Sequence, residues 1–229
     1  MKAAGDIALR PEDFSHNLRV VVDRIAAAGG DPRRVKIVAV SKAQPPGAIH
    51  AALEAGHALF GENYADELVS KASLEYDKHR PTWHFQGRLQ SNKINRLKPF
   101  VSVWHTLDSV ERADAMSARV PGATVLVQID STAGAGQRSG ALIGDVPAIV
   151  GHAKENGLDV VGLMTVAPFF QDDTAAAQAT TRAFSALSEL ADHLGLVERS
   201  MGMSGDLEQA VRAGSTMVRI GAALFGTRR

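Results

Sequence analysis

Eight short apolar runs recur along the chain, most of them rich in β-branched residues and most ending in polar or glycine positions. They are VKIVAVSK (35–42), ALFGEN (58–63), TWHFQG (82–87), SVWHTLD (102–108), TVLVQID (124–130), VVGLMTV (160–166), RSMGM (199–203) and MVRIG (217–221). Runs so short suit buried strands rather than helices. Helix-compatible stretches separate them. The first, EDFSHNLRVVVDRIAAAGG, sets Phe14, Leu18, Val21, Val22 and Ile25 at helical spacing and stops at Gly29 and Gly30. IHAALEAG, ADELVSKASLEYDKH, SVERADAMSARV, DVPAIVGHAKENG, DTAAAQATTRAFSALSELADHLG and DLEQAVRAG follow the later strands. Such alternation predicts parallel pairing with right-handed crossovers. An open doubly wound sheet leaves the last strands unplaced, whereas a closed barrel uses all eight. The expectation is an α/β chain folded as a single-domain (β/α)8 TIM barrel over residues 1–229, with TAGAGQRSG (132–140) a mobile loop and not a boundary.

Composition removes several function classes. Lys+Arg and Asp+Glu both number 25, so no net charge draws the chain to nucleic acid or to an anionic membrane. Neither partner is expected. There is no cysteine, which excludes disulfides, thiolate metal sites and cysteine nucleophiles, and predicts a cytoplasmic protein. The opening MKAAGDIALRPEDF lacks the apolar core of a signal peptide, and no apolar run approaches the ~18 residues of a membrane span. The eight histidines show no metal-binding spacing, so no metal is expected. The glycines of GENY and GAGQRSG stand outside any nucleotide-binding motif.

In a barrel of this kind chemistry sits where strands end. Lys42 closes the first apolar run. There the amine loses solvation, which favours its neutral, nucleophilic form and suits imine formation with an aldehyde; the alternative is a lysine snorkelling into solvent. Near the other end, Ser204-Gly205-Asp206 opens one helix and Gly221-Ala222 the next. Backbone N–H groups at helix starts, with glycine for close approach and a serine hydroxyl, can seat a phosphate; plain turns are the alternative. Arg219, between Val218 and Ile220, is read as facing inward, where a guanidinium demands an acceptor. Together an imine-forming lysine, a phosphate seat and an inward arginine suggest pyridoxal 5′-phosphate as the cofactor. Asn63 and His84 are further candidates for the pocket, although a strand histidine is more often a core group. Met201 and Met203 can flank a flat ring or fill the core.

The segments KIVAVSK, FGENYADEL, WHFQGRLQSNKIN, GLMTVAP and SMGMSGDLEQAVRAGSTMVRIGAALFG resemble the pyridoxal phosphate homeostasis protein family over nearly the whole chain. The resemblance implies a barrel similar to the N-terminal domain of alanine racemase, with the cofactor as a reversible aldimine on Lys42. It implies phosphate binding by Ser204 and by the backbone amides of Gly221 and Ala222, with Arg219 beside the pyridine nitrogen. Asn63, His84 and Met203 are implied as neighbours of the ring. One departure is Arg138, where the family pattern has a lysine before Ser-Gly.

The implied function is a cofactor carrier that limits free aldehyde and passes pyridoxal 5′-phosphate to apo-enzymes, without a catalytic reaction of its own. The alternative is an amino-acid racemase. Racemisation needs a second proton-transfer group opposite the lysine, and the only tyrosines are Tyr64 and Tyr76. A third possibility is a sugar-phosphate enzyme on the same barrel. RLQSNKINRLK (88–98) is locally basic and reads as a solvated helix face, with contact to an anion or a partner as the lesser alternative. A monomer is expected, since no large apolar stripe is evident.

Overall fold

Side chains alternate across a strand, so a closed parallel sheet must fill two layers at once, one against its helices and one inside. The computed structural model of the chain describes residues 9–76, 80–132, 139–168 and 173–226. Each of the apolar runs forms a strand: β1 (Lys36–Val40), β2 (Leu59–Glu62), β3 (Thr82–Phe85), β4 (Val101–Leu107), β5 (Thr124–Ile129), β6 (Asp159–Thr165), β7 (Glu198–Ser200) and β8 (Met217–Ile220). Between and around them lie α1 (Pro11–Ala27), α2 (Pro46–Glu54), α3 (Ala65–Ala72), α4 (Ser91–Leu97), α5 (Val110–Arg119), α6 (Val146–Glu155), α7 (Asp173–His193), α8 (Leu207–Arg212) and α9 (Ala222–Phe225). Neighbouring strands pair in parallel from β1 to β8, and β8 pairs back onto β1, so the sheet closes as the expected (β/α)8 barrel.

The outer layer takes Ile37 and Ala39 of β1, Val125, Val127 and Ile129 of β5, and Val218 and Ile220 of β8. The residues between them, including Val38, Gln128 and Arg219, turn inward by strand alternation. Helix α9 has only four residues, too few to cover the seam where β8 meets β1. Helix α1 covers it instead. Its buried face carries Phe14, Val21 and Ile25, and Phe14 sits 5.5 Å from the rings of both His57 and Phe225. Asn17 fastens α1 to the far end of the chain by donating to the Leu224 carbonyl at 2.9 Å.

Strand β7 is shorter than the run RSMGM suggests. Gly202 takes φ 96°, a left-handed conformation that breaks the strand, and a Cβ there would lie 2.5 Å from that of Ala210. The chain therefore turns at Gly202 and carries Met203–Asp206 across the mouth. The basic stretch is helix α4, with Ile94 and Leu97 buried and Arg96 paired to Asp66 at 2.8 Å. Residues 133–138 of the expected loop, Arg138 among them, lie outside the described residues. Among the described residues no helix is long and apolar enough to cross a membrane, and no cluster of acidic and histidine side chains is arranged to hold a metal.

Candidate functional site

Parallel strands bring all their C-terminal ends to one mouth. Past β1, a turn closes with the Gln44 N–H donating to the Ser41 carbonyl at 2.9 Å, and Lys42 is its second residue. Lys42 is partly buried and lines a cavity of ≈ 430 Å³. Of the residues singled out from sequence, Asn63, Met203, Ser204, Arg219, Gly221 and Ala222 line the same cavity. That size lies within the ~300–1,000 Å³ of small-molecule sites. His84 does not line it. Met201 does not either, being fully buried in the apolar core. Gln86 and Met164 do, although the sequence marked them only as ends of strands.

Arg219 is held from below. One guanidinium nitrogen donates to the Ser200 carbonyl at 2.7 Å and to Ser200 Oγ at 2.8 Å, and another donates to the Thr165 carbonyl at 2.7 Å. Burial brings its pKa down to about 10, with Asp206 opposing the shift, so the group stays charged at neutral pH. A cation thus stands at the cavity floor with its orientation fixed by β6 and β7.

The same arginine starts a polar chain through the barrel interior. Ser200 Oγ lies 3.1 Å from His105 Nδ1, and His105 Nε2 lies 2.8 Å from His84 Nδ1. A guanidinium only donates, so Ser200 Oγ accepts from it and turns its own proton to His105 Nδ1. His105 then carries its proton on Nε2 and donates to His84. His84, 4% exposed, therefore sits three hydrogen bonds from the arginine and does not line the cavity.

Both rings resist protonation. Burial pushes His105 well below its ordinary value and takes His84 to about 4, with the Lys36 charge adding to the latter. His57 is shifted the same way, also by burial. The unfolded chain takes up these protons near 6.5 while the folded chain refuses them. Stability conferred by the neutral rings is complete above pH 6.5 and declines as pH falls toward about 4. The urea midpoint is expected to be lower at pH 5 than at pH 7, with part of that difference lost in His84→Asn; equal midpoints at the two pH values would contradict the burial of neutral rings.

On the opposite wall, Asp206 accepts the Met203 N–H, which folds the loop before α8. From outside, Arg24 of α1 donates to the Ser204 carbonyl at 2.9 Å and pairs with Glu208 at 2.6 Å. Gly221 and Ala222, at the start of α9, line the cavity, and the first N–H groups of a helix have no acceptor within it. Two buried side-chain atoms, Asn63 Oδ1 and Gln86 Nε2, have no protein hydrogen-bond partner. Glycines make room for the Asn63 backbone and for the Gln86 side chain. A Cβ on Gly87 would lie 1.8 Å from the Asn63 carbonyl, and one on Gly61 would lie 2.4 Å from Gln86 Nε2.

Asn63, Gln86 and Val166 also border a second cavity of ≈ 310 Å³, lined further by Tyr64, Arg88, Gln128 and Asp130. Tyr64 is 57% exposed and belongs to this lobe, whereas Tyr76 donates to the Lys71 carbonyl at 2.7 Å and lies elsewhere. The mouth thus offers an amine, a buried cation, unsatisfied hydrogen-bonding atoms and the start of a helix around one space. That set can capture a carbonyl and hold an anion.

The alanine racemase, N-terminal domain family matches residues 10–229. The pyridoxal phosphate homeostasis protein of Escherichia coli (strain K12) is 37% identical over 231 residues, covering 94% of this chain and 97% of that protein. PipY of Synechococcus elongatus, solved with PLP bound, is 29% identical with a TM-score of 0.74, covering 90% of this chain and 100% of that one. Alanine racemase from Corynebacterium glutamicum shares the fold at 18% identity and a TM-score of 0.71, over 96% of this chain and 62% of the racemase. With relatives matched this fully, the chain belongs to the alanine racemase N-terminal domain family and, within it, to the pyridoxal phosphate homeostasis proteins.

Proposed function

We propose that this chain binds pyridoxal 5′-phosphate at the barrel mouth, holds it reversibly through the Lys42 amine and passes it to apo-enzymes that require it. The observation that carries the reading is the meeting of Lys42, Arg219 and the start of α9 on a single cavity. The residues fit the group in other ways too. Asn63 Oδ1 and Gln86 Nε2 need partners that a substituted pyridine can supply. The Gly221 and Ala222 amides with Ser204 face the same space and suit a phosphate dianion.

When bound, the cofactor supplies an aldehyde for a primary amine and an electron-withdrawing ring. Lys42 supplies the nucleophilic nitrogen. Arg219, charged and pinned by Ser200 and Thr165, is the residue that would donate to the pyridine nitrogen; it would leave that nitrogen unprotonated and the ring a weak electron sink, which suits storage. Met203 lines the cavity and is 38% exposed, so it would flank the ring from the rim. The large exposed apolar side chains include Val20, Leu142 and Val197 on separate elements, and we assign a monomer. Having no cysteine, the chain suits a reducing compartment, and we assign it to the cytoplasm.

The test loads the purified chain with pyridoxal 5′-phosphate and follows violet absorbance and the borohydride-reduced adduct by mass. The loaded chain is then mixed with an apo-enzyme, and with amino acids analysed for chirality. Reactivation of the apo-enzyme without turnover of the amino acids is expected. Sustained Lys42-dependent racemisation would replace the carrier with the racemase, and a chain that takes up no cofactor would end both readings.

A further inference from the structure

Lys71 of α3 is an amine in a place where water cannot reach it, 4% exposed. Its Nζ donates to the Ser41 carbonyl at 2.7 Å, to Glu62 Oε1 at 2.5 Å and to Glu67 Oε2 at 2.9 Å. An ammonium has three protons, and these contacts use all of them. Lys71 is therefore no rival nucleophile to Lys42.

The acceptors of Lys71 hold the Lys42 turn as well. Glu67 Oε2 accepts the Ala43 N–H at 2.8 Å, and Glu62 Oε1 accepts the Ser41 hydroxyl at 3.1 Å. The residues on either side of Lys42 are thus gripped by one buried ion cluster, Ser41 through its carbonyl and hydroxyl and Ala43 through its amide. Ala43 has φ 58°, a left-handed conformation that a residue with a Cβ adopts only where its surroundings impose it. Glu62 Oε2 also accepts the Asn63 N–H at 3.0 Å, through the carboxylate oxygen that Lys71 does not touch.

Buried ion clusters stabilise a fold no better than well-packed apolar side chains would. Placing three charges under the turn needs another reason, and the geometry supplies one. We propose that Lys71, acting with Glu67, is a positioning residue that fixes the Lys42 turn so that its amine meets the incoming aldehyde; this rests on the role given to Lys42 above.

The experiment compares two ligands on the full chain. Pyridoxal 5′-phosphate can react with an amine, whereas pyridoxine 5′-phosphate has an alcohol in place of the aldehyde and reports only the non-covalent seat. Capture at Lys42 is read as borohydride-trapped peptide against time, and alcohol binding by equilibrium titration. Lys71→Met is expected to slow capture by about tenfold or more, since small misplacements of a reacting group carry penalties of that order. Glu67→Ala, at a side chain 34% exposed, is expected to slow it by about three- to tenfold, and Glu67→Gln to recover most of the rate by keeping an acceptor for Ala43. Alcohol binding should stay within about twofold in all of them. Capture at the wild-type rate in folded Lys71→Met overturns the proposal; where that variant does not fold, Glu67→Ala decides in the same way. Equal loss of capture and of alcohol binding also overturns it, since that marks general damage to the barrel. A wild-type chain that captures nothing overturns the Lys42 assignment itself, and this inference with it.

Discussion

Replacing Lys42 by alanine is expected to remove all borohydride-reducible attachment of pyridoxal 5′-phosphate. The amine lines the cavity, and the other lysine beneath the same turn, Lys71, has every ammonium proton engaged. Among the described residues no other lysine lines that cavity. The Gly221 and Ala222 amides and Arg219 are untouched by the change, so pyridoxine 5′-phosphate should still bind within about threefold of the wild type. Stability should move by no more than about 1 kcal/mol, because Lys42 lies in a turn and is only partly buried. Peptide mapping after reduction is the measurement. Trapped cofactor at the wild-type level, on any lysine, would remove Lys42 from its role.

Arg219→Met should act on both fold and ligand. The substitution roughly conserves length but leaves the Ser200 carbonyl, Ser200 Oγ and the Thr165 carbonyl without their donor inside the barrel. Breaking a buried charged network in this way costs about 3–5 kcal/mol. For a chain of this size that lowers the melting temperature by on the order of 10 °C. The remaining folded protein should bind the cofactor at least about tenfold more weakly and with a shifted absorption band, because the ring nitrogen has lost its donor. Arg219→Lys separates charge from geometry, since an ammonium cannot reproduce the planar fork that reaches two strands. Near-normal melting together with an unaltered band in Arg219→Met would mean that this residue neither braces the barrel nor meets the ring.

The fold was legible because the physics that makes a barrel strand also marks the chain: each strand is a short apolar run, and its polar end becomes the mouth. Lys42, Ser204, Arg219 and Gly221 could be named for that reason, and the structure brings them to one cavity. What stayed hidden depends on contacts distant in sequence. His84 looked like a cavity residue because it lies near a strand end; its partner His105 is on the next strand, and no local pattern says that the two rings meet. Lys71 sits within a helical stretch that reads as an ordinary amphipathic segment. Only the packing of α3 against β2 turns its side chain under Ser41. The break at Gly202 was equally invisible, since glycine in RSMGM reads as well within a strand as at its end.

The pairing of β1 with β8 sets Val38 opposite Arg219 and Ala39 opposite Ile220, so the join between the first and last strands brings Lys42, just past β1, and Arg219 to one cavity. During synthesis the nucleophile leaves the ribosome long before its counterpart, and a nascent chain has no place to keep a vitamin aldehyde. With the seat proposed above, ligand capture would report completion: a vitamer held there would act as a clasp between early and late segments, and its affinity would add directly to the resistance of that join to opening.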